Sequence, residues 1–241
     1  MSEWFERGHV AIVTGGSRGL GKAVTRELLE RGLRVIIDGR SETALNRALE
    51  ELRPIGEVIA IAGDVADKEH VHALVSAAKR LGRLDLVVNN ASTLGERPLP
   101  RIEELSKETF DRLFDVNVFA PIHLMQHALR LMRRSSEIAT IVNITSDAAV
   151  EAYATWGGYG ASKAALEHFS RVLAAELPGQ PVRILVADPG DMDTDMHRDA
   201  VPDADPSDLG DPGEAAGALL AAIASMREPY ERVRLTGVLA R

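Results

Sequence analysis

The sequence predicts an α/β protein built on a doubly wound parallel sheet with helices on both faces. Three observations predict it. Short β-branched runs alternate with longer helical patterns along the chain, the order that builds parallel sheets through helical crossovers. The strand candidates are nearly continuous in apolar residues, as strands buried on both faces are. A chain of 241 residues, 45% hydrophobic and 27% charged, suits one large α/β domain. No internal repeat and no Ser/Pro-rich linker divides it, so residues 1–241 read as a single domain.

The elements run in order along the chain. A strand at 10–14 precedes a helix at 19–31, and a strand at 34–37 precedes a helix at 42–53. Ser41 is placed to cap the second helix, with Glu42 a favourable charge in its first turn. A strand at 58–61 leads to a helix at 67–80 with Asp67 as its capping residue, and a strand at 84–89 to a long helix at 106–132 capped by Ser106. A strand at 138–144 leads to a helix at 160–177, ended by Pro178-Gly179. A strand at 183–187, a helix at 213–226 and a last strand at about 232–239 complete the chain. The exception is the Asp- and Pro-rich stretch 188–213, which reads as a structureless segment after the last strong strand. Long loops there are commonly lids, and ligands bind outside the carboxyl ends of such strands.

Composition excludes several function classes. A formal charge of -8 argues against nucleic acid or an anionic membrane as partner. With no cysteine there is no disulfide, thiolate metal site or cysteine nucleophile. The charged start, M-S-E-W-F-E-R, lacks an apolar signal core, and no run approaches the roughly 18 apolar residues of a membrane span. The expectation is a soluble, cytoplasmic protein with no membrane partner.

Chemistry enters at T-G-G-S-R-G-L-G, residues 14–21, between the first strand and first helix. Glycines at 15, 19 and 21 can supply positive φ and let backbone N–H groups approach a pyrophosphate at the helix N-terminus. A tight strand–helix connection is the plain alternative. The spacing is neither G-x-G-x-x-G nor a loop ending in G-K-[ST]. Further along, Y-G-A-S-K at 159–163 sets a phenol four residues before an ammonium, on one face of a helix.

Together, the 14–21 turn, N-N-A at 89–91, Asn117, Ser146, Tyr159 and Lys163 resemble the short-chain dehydrogenase/reductase family in its single-domain form, over roughly residues 8–226. The resemblance implies a Rossmann-like fold binding a nicotinamide dinucleotide. Gly15, Ser17, Arg18, Gly19, Leu20 and Gly21 would hold its pyrophosphate side, and Asp64-Val65 its adenine. Asn89 and Ala91 would line it, although Ser92 stands where the family usually has glycine. Pro189, Gly190, Met192 and Thr194 match the family's P-G-x-x-x-T turn at the nicotinamide, opening a substrate lid at about 190–212. Arg40 falls on the position of an NADP-selecting base, with Arg18 a second; guanidinium forks suit a phosphate. Asp38, slid one place, is the candidate ribose acid of an NAD enzyme. NADP(H) is the expected cofactor and NAD(H) the alternative.

The resemblance assigns catalysis to Asn117, Ser146, Tyr159 and Lys163. Tyr159 exchanges a proton with the carbonyl or alcohol oxygen. Lys163 lowers the phenol's pKa and holds the nicotinamide ribose, while Ser146 orients the substrate oxygen. Asn117 kinks its helix and holds a relay water. Gly160, Ala161 and Ser162 are expected to keep the helix surface low beneath the nicotinamide. The implied activity is an NADPH-dependent carbonyl reductase, or the alcohol dehydrogenase run backward, on a small-molecule substrate. A non-catalytic NADP-sensing protein is the rival, and an epimerase or dehydratase a third reading. Leu94, Tyr153, Trp156 and Met196 suggest an apolar or aromatic ketone. A homodimer or homotetramer through the helices at 106–132 and 160–177 is implied, with the tail E-R-V-R-L-T-G-V-L-A-R departing from the family's interface segment.

Two acidic or metal-like features resolve to nothing specific. Asp191, Asp193 and Asp195 begin like a calcium loop, but the positions requiring glycine and glutamate hold Met196 and Pro202. They read as solvated lid residues; a sharper reading has them disfavour anionic substrates. His123 and His127 are i,i+4 neighbours without the carboxylate of a zinc-protease pattern, and His197 stands alone, so no metal is expected.

Overall fold

The computed structural model describes residues 6–134 and 137–235. Among these, seven strands form one sheet, β1 (Val10–Val13), β2 (Arg34–Gly39), β3 (Val58–Ala62), β4 (Leu86–Asn89), β5 (Ala139–Ile144), β6 (Val182–Asp188) and β7 (Tyr230–Arg234). Their order is β3-β2-β1-β4-β5-β6-β7 and every pairing is parallel. The doubly wound sheet expected from the sequence is present. The chain reverses its direction of winding between β1 and β4, opening a crevice at their carboxyl ends where such sheets bind ligands.

Alternation along each strand builds two cores. Val10 and Ile12 face one side, packing with Val71 and Leu74 of α3 (Lys68–Arg80) and Leu124 and Ala128 of α5 (Ala120–Met132). Ala11 and Val13 face the other, against Val24 and Leu28 of α1 (Gly19–Glu30), Leu45 of α2 (Glu42–Leu52) and Leu219 and Ile223 of α8 (Pro212–Ser225). Strands buried on both faces need apolar residues at successive positions, which is why the runs lack an alternating polar pattern.

Ser41 and Ser106 cap α2 and α4 (Lys107–Phe114) through bonds from Ala44 and Thr109 N–H. Asp67 stands at the start of α3 but makes no side-chain cap; it is Asp64 that accepts a local backbone bond, from Ala66. The long helix expected at 106–132 is interrupted, since Asp115–Phe119 is π-helical between α4 and α5. Helix α6 (Gly157–Ala175) starts earlier than expected. Gly157 and Gly158 are there for close approach: a Cβ on them would sit 2.6 Å from Ile102 and 2.8 Å from Leu113.

The 188–213 segment is more ordered than its composition suggests. It holds α7 (Asp195–Ala200), a 3-10 turn at Pro206–Asp208, and a bridge pairing Met192 with Gly210. The last strand begins two residues before the expected start and ends at Arg234; positions 236–239 lie outside the described residues. No described helix is long and apolar enough to cross a membrane.

Candidate active site

The crevice between β1 and β4 opens into a cavity of about 780 Å³ running from Arg40 to Trp156. Its floor is fixed by Thr14. The Thr14 hydroxyl accepts from Asn90 and Ala91 N–H, both at 3.0 Å, and its own N–H bonds Val88 at 3.0 Å. The ends of two neighbouring strands are thereby tied together where the sheet parts. Gly15 has φ +67°, and a Cβ there would lie 3.0 Å from Asn90; one on Gly21 would lie 2.3 Å from the Gly15 carbonyl. Only glycine fits this turn. Helix α1 starts directly behind it with no acidic residue in its first turn, leaving its N-terminus open to an anion.

Asp38 is turned inward, 1% exposed. One carboxylate oxygen accepts from Gly15 N–H at 2.6 Å and the other pairs with His70 Nε2 at 3.0 Å. It therefore shapes the glycine turn from beneath. Ser17, Arg18, Gly19, Leu20, Arg40, Asp64, Val65 and Ala91 line the cavity, as do Pro189, Gly190, Met192 and Thr194. Gly21 is used by the turn itself. Burial raises the Asp64 carboxyl, but the Ala66 N–H, the Arg112 guanidinium at 2.6 Å and nearby Arg40 hold it below its usual value. The Asp64–Arg112 pair joins the third crossover to α4 at the rim.

Asn89 does not line the cavity. It is buried, and its amide donates to Asn143 Oδ1 at 2.7 Å, while Asn143 donates to Ser170 at 2.7 Å. Asn89 and Asn143 are paired in register on β4 and β5, so their side chains meet between the sheet and α6. Asn90, one residue on, faces the opposite side and lines the cavity, bonding the Thr14 carbonyl at 2.8 Å.

At the other end Tyr159 is 8% exposed, packed among Leu94, Leu113, Ala148, Trp156 and Met196. Burial, with the carboxylates of Asp188 and Asp147, pushes its pKa above its ordinary value, outweighing the Ser92 and Ser146 hydroxyls beside the phenol, which pull it down. Lys163, 3% exposed, donates to the Ile144 carbonyl at 2.9 Å and lies 5.6 Å from the Tyr159 ring centre. Burial lowers its pKa to about 8. Burial thus dominates both groups, raising the phenol and lowering the ammonium. Ser146 also caps the 3-10 turn Asp147–Ala149, accepting from Ala148 N–H at 3.2 Å and donating to Asp147 at 3.0 Å.

Asn117 sits in the π-helical segment, 1% exposed and outside the cavity lining. Its oxygen accepts from the Ser92 hydroxyl at 3.1 Å and Thr93 N–H at 2.9 Å. Its amide donates to the Thr93 carbonyl at 2.9 Å and the Ser162 hydroxyl at 3.0 Å. The side chain thus fastens the loop after β4 to α6. The small residues after Tyr159 do not line the cavity. A Cβ on Gly160 would lie 2.4 Å from the Ala148 carbonyl, and Ser162 is fully buried.

The lid aspartates are largely neutralised. Asp193 and Asp195 pair with Arg198, and Asp195 reaches Arg18 across the cavity mouth at 3.0 Å. Leu94, Trp156 and Met196 line the cavity beside Tyr159. Tyr153 lines an adjoining pocket of about 360 Å³ and bonds Asp147 at 3.0 Å. Sequence reasoning missed Thr14, Asn90 and Arg112 as site residues. The first two lie within motifs already singled out but were given no role there; Arg112 is brought in only by the packing of α4.

Residues 9–205 match the family model described as short chain dehydrogenase. The chain is 35% identical over 199 residues to a benzil reductase ((S)-benzoin forming) of Saccharomyces cerevisiae, covering 80% of this chain and 74% of that one. It is 36% identical over 196 residues to a rhamnolipids biosynthesis 3-oxoacyl-[acyl-carrier-protein] reductase of Pseudomonas aeruginosa, covering 79% and 75%. A short chain dehydrogenase from Burkholderia cenocepacia, solved in complex with NADP, superposes with a TM-score of 0.82 at 29% identity, covering 95% and 96%.

Proposed function

Because this chain belongs to the short-chain dehydrogenase family of oxidoreductases, we propose that it is an NADPH-dependent carbonyl reductase, reversible as an alcohol dehydrogenase, acting on an apolar or aromatic ketone. One observation carries the reading: a buried phenol, flanked by the Ser146 and Ser92 hydroxyls, stands over a buried lysine at one end of a long cavity whose other end is a glycine turn.

The residues present fit a dinucleotide phosphate. The glycine turn leaves no room for a Cβ, the α1 N-terminus behind it carries no acid, and Arg18 and Arg40 stand at the rim. Gly15 to Gly21 would hold the pyrophosphate, Asp64 and Val65 the adenine, Arg40 and Arg18 a 2′-phosphate, and Ala91, Lys163 and the 189–194 turn the nicotinamide end. Asp38 has both oxygens engaged by Gly15 and His70, which favours NADP(H) over NAD(H). The bound cofactor would supply or accept a hydride at the substrate carbon.

The protein supplies the proton. Burial keeps Tyr159 protonated at neutral pH, so in the reducing direction its O–H is available to the carbonyl oxygen as charge builds there. The Ser146 hydroxyl, turning its hydrogen away from Asp147, donates to the same oxygen and aligns it. Lys163 carries a cation whose cost of burial is relieved when negative charge appears nearby, so it stabilises the phenolate left behind. Asn117 holds the loop carrying Ser92 at a fixed distance from α6. Leu94, Trp156 and Met196 give the substrate an apolar wall, in keeping with the aromatic substrate in the yeast relative's name.

Phe119, Phe169 and Val172 are exposed apolar residues on the helices at 115–132 and 157–175, which suits a homodimer or homotetramer through those helices; a cytoplasmic location is part of the same reading. The test is a screen of carbonyl compounds for NADPH oxidation, with Tyr159→Phe as the blank. Turnover by the variant at the parent's rate, or cofactor binding with no turnover of any ketone, sinks the reading, the latter in favour of a sensor.

A further inference from the structure

The contact between α3 and α5 brings three imidazoles to one point on the surface, away from the cavity. His123 and His127 share a face of α5, and His72 reaches them from α3. The Nε2 atom of His127 lies 3.1 Å from that of His72 and 2.9 Å from that of His123. All three ligand atoms fall within 4.8 Å of one another. The rings are splayed, with interplanar angles of 41°, 72° and 86°, as imidazoles radiating from a common centre are.

Hydrogen bonding among the three does not satisfy this arrangement. A neutral Nε2 carries either one hydrogen or one lone pair. Whichever His127 carries, it forms one linear bond, and its second close contact is left without one. A cation accepting a lone pair from each ring removes the conflict. Nitrogens around tetrahedral zinc, at about 2.0–2.1 Å from the metal, are about 3.3–3.4 Å apart. The two spacings from His127 need to open by only a few tenths of an ångström.

We propose that His72, His123 and His127 form a binding site for one Zn²⁺ ion, clamping α3 to α5 through three Nε2 ligands with water in the fourth position. The sequence alone shows only the i,i+4 pair, because the third ligand lies 51 residues before His123 and arrives through helix packing.

The experiment titrates ZnCl₂ into the untagged, chelator-treated protein by calorimetry, with CoCl₂ as a visible-absorption probe of tetrahedral nitrogen ligation. One ion per chain is expected. His72→Gln and His127→Gln should each weaken binding at least about tenfold, no less than loss of an outer-shell partner costs. His168→Gln, on the exposed face of α6, should change nothing. A hundredfold excess of Zn²⁺ over its dissociation constant should raise the melting temperature by roughly 5–10 °C. Binding should fade as the pH falls and the imidazoles take up protons. Absence of saturable binding overturns the proposal, as does binding that survives His72→Gln unchanged. His72 is exposed, so that variant is not expected to disturb folding.

Discussion

The two ends of the cavity are built on opposite principles. At the glycine turn the ligand-facing groups are backbone N–H donors and exposed cations. Arg18 is 65% exposed and its pair with Asp195 spans open solvent. At Tyr159 the phenol, Lys163 and Asn117 are buried, with Lys163 bonded to Ile144, Asn117 to Ser92, Thr93 and Ser162, and the phenol beside the Ser92 and Ser146 hydroxyls. The solvated end can exchange partners at little cost, because exposed pairs are worth about 1 kcal/mol or less. The buried end cannot, because each group removed leaves another unpaired away from water. Side-chain substitutions should therefore hurt far more at one end than the other.

The largest effect tests the buried end directly. Tyr159→Phe should lower kcat by about 10²–10⁴-fold with the fold intact by circular dichroism; a loss under tenfold would break the contrast. Lys163→Met should abolish most activity and change how stability depends on pH. The folded pKa of about 8 lies below the ordinary 10.5, so the buried ammonium costs stability that is fully felt below pH 8 and relieved as the pH rises toward 10.5. Whatever the variant loses with the Ile144 bond, its stability relative to the parent should fall by about 2–3 kcal/mol between pH 7 and pH 10 in denaturant melts. A difference independent of pH would show that Lys163 is not the strained cation described.

At the solvated end, Arg40→Asp should raise the KM for NADPH by about 10–100-fold, as losing a charged hydrogen bond of about 1.5–3 kcal/mol would. NADH should be little affected; equal losses on both would remove Arg40 from the phosphate. At the Tyr159 end, Ser92→Gly, which deletes a hydroxyl bonded to Asn117 and lying beside the phenol, should cost about 2–10-fold in kcat and leave KM for the cofactor alone. Asp195→Asn frees Arg18 and should change cofactor affinity by about fivefold or less.

Much of the architecture was legible in the chain because it depends on local pattern. Continuous apolar runs marked the sheet, and the glycine turn and the Tyr159–Lys163 spacing lie within single segments. What could not be read depends on residues far apart. Asn89 and Asn90 are indistinguishable as letters, and only the register of β4 against β5 sends the first into the core to meet Asn143. The acidity of Tyr159 needed the surrounding burial, which spacing to a lysine does not report. Gly157, Gly158 and Gly160 look like loosening and are instead sites of tight contact with Ile102, Leu113 and Ala148. His72 gains its neighbours only when α3 lies on α5.

The π-helical turn at Asp115–Phe119 adds a residue to an otherwise regular helix, which at 3.6 residues per turn rotates α5 by about 100° relative to α4. Leu113, ahead of it, packs around Tyr159, whereas Leu124 and Ala128, behind it, lie under the sheet. Loss of one codon there would leave the composition almost untouched but swing one of these stripes away from its neighbour. The protein's tolerance to deletion should therefore be lowest where its helix is least regular.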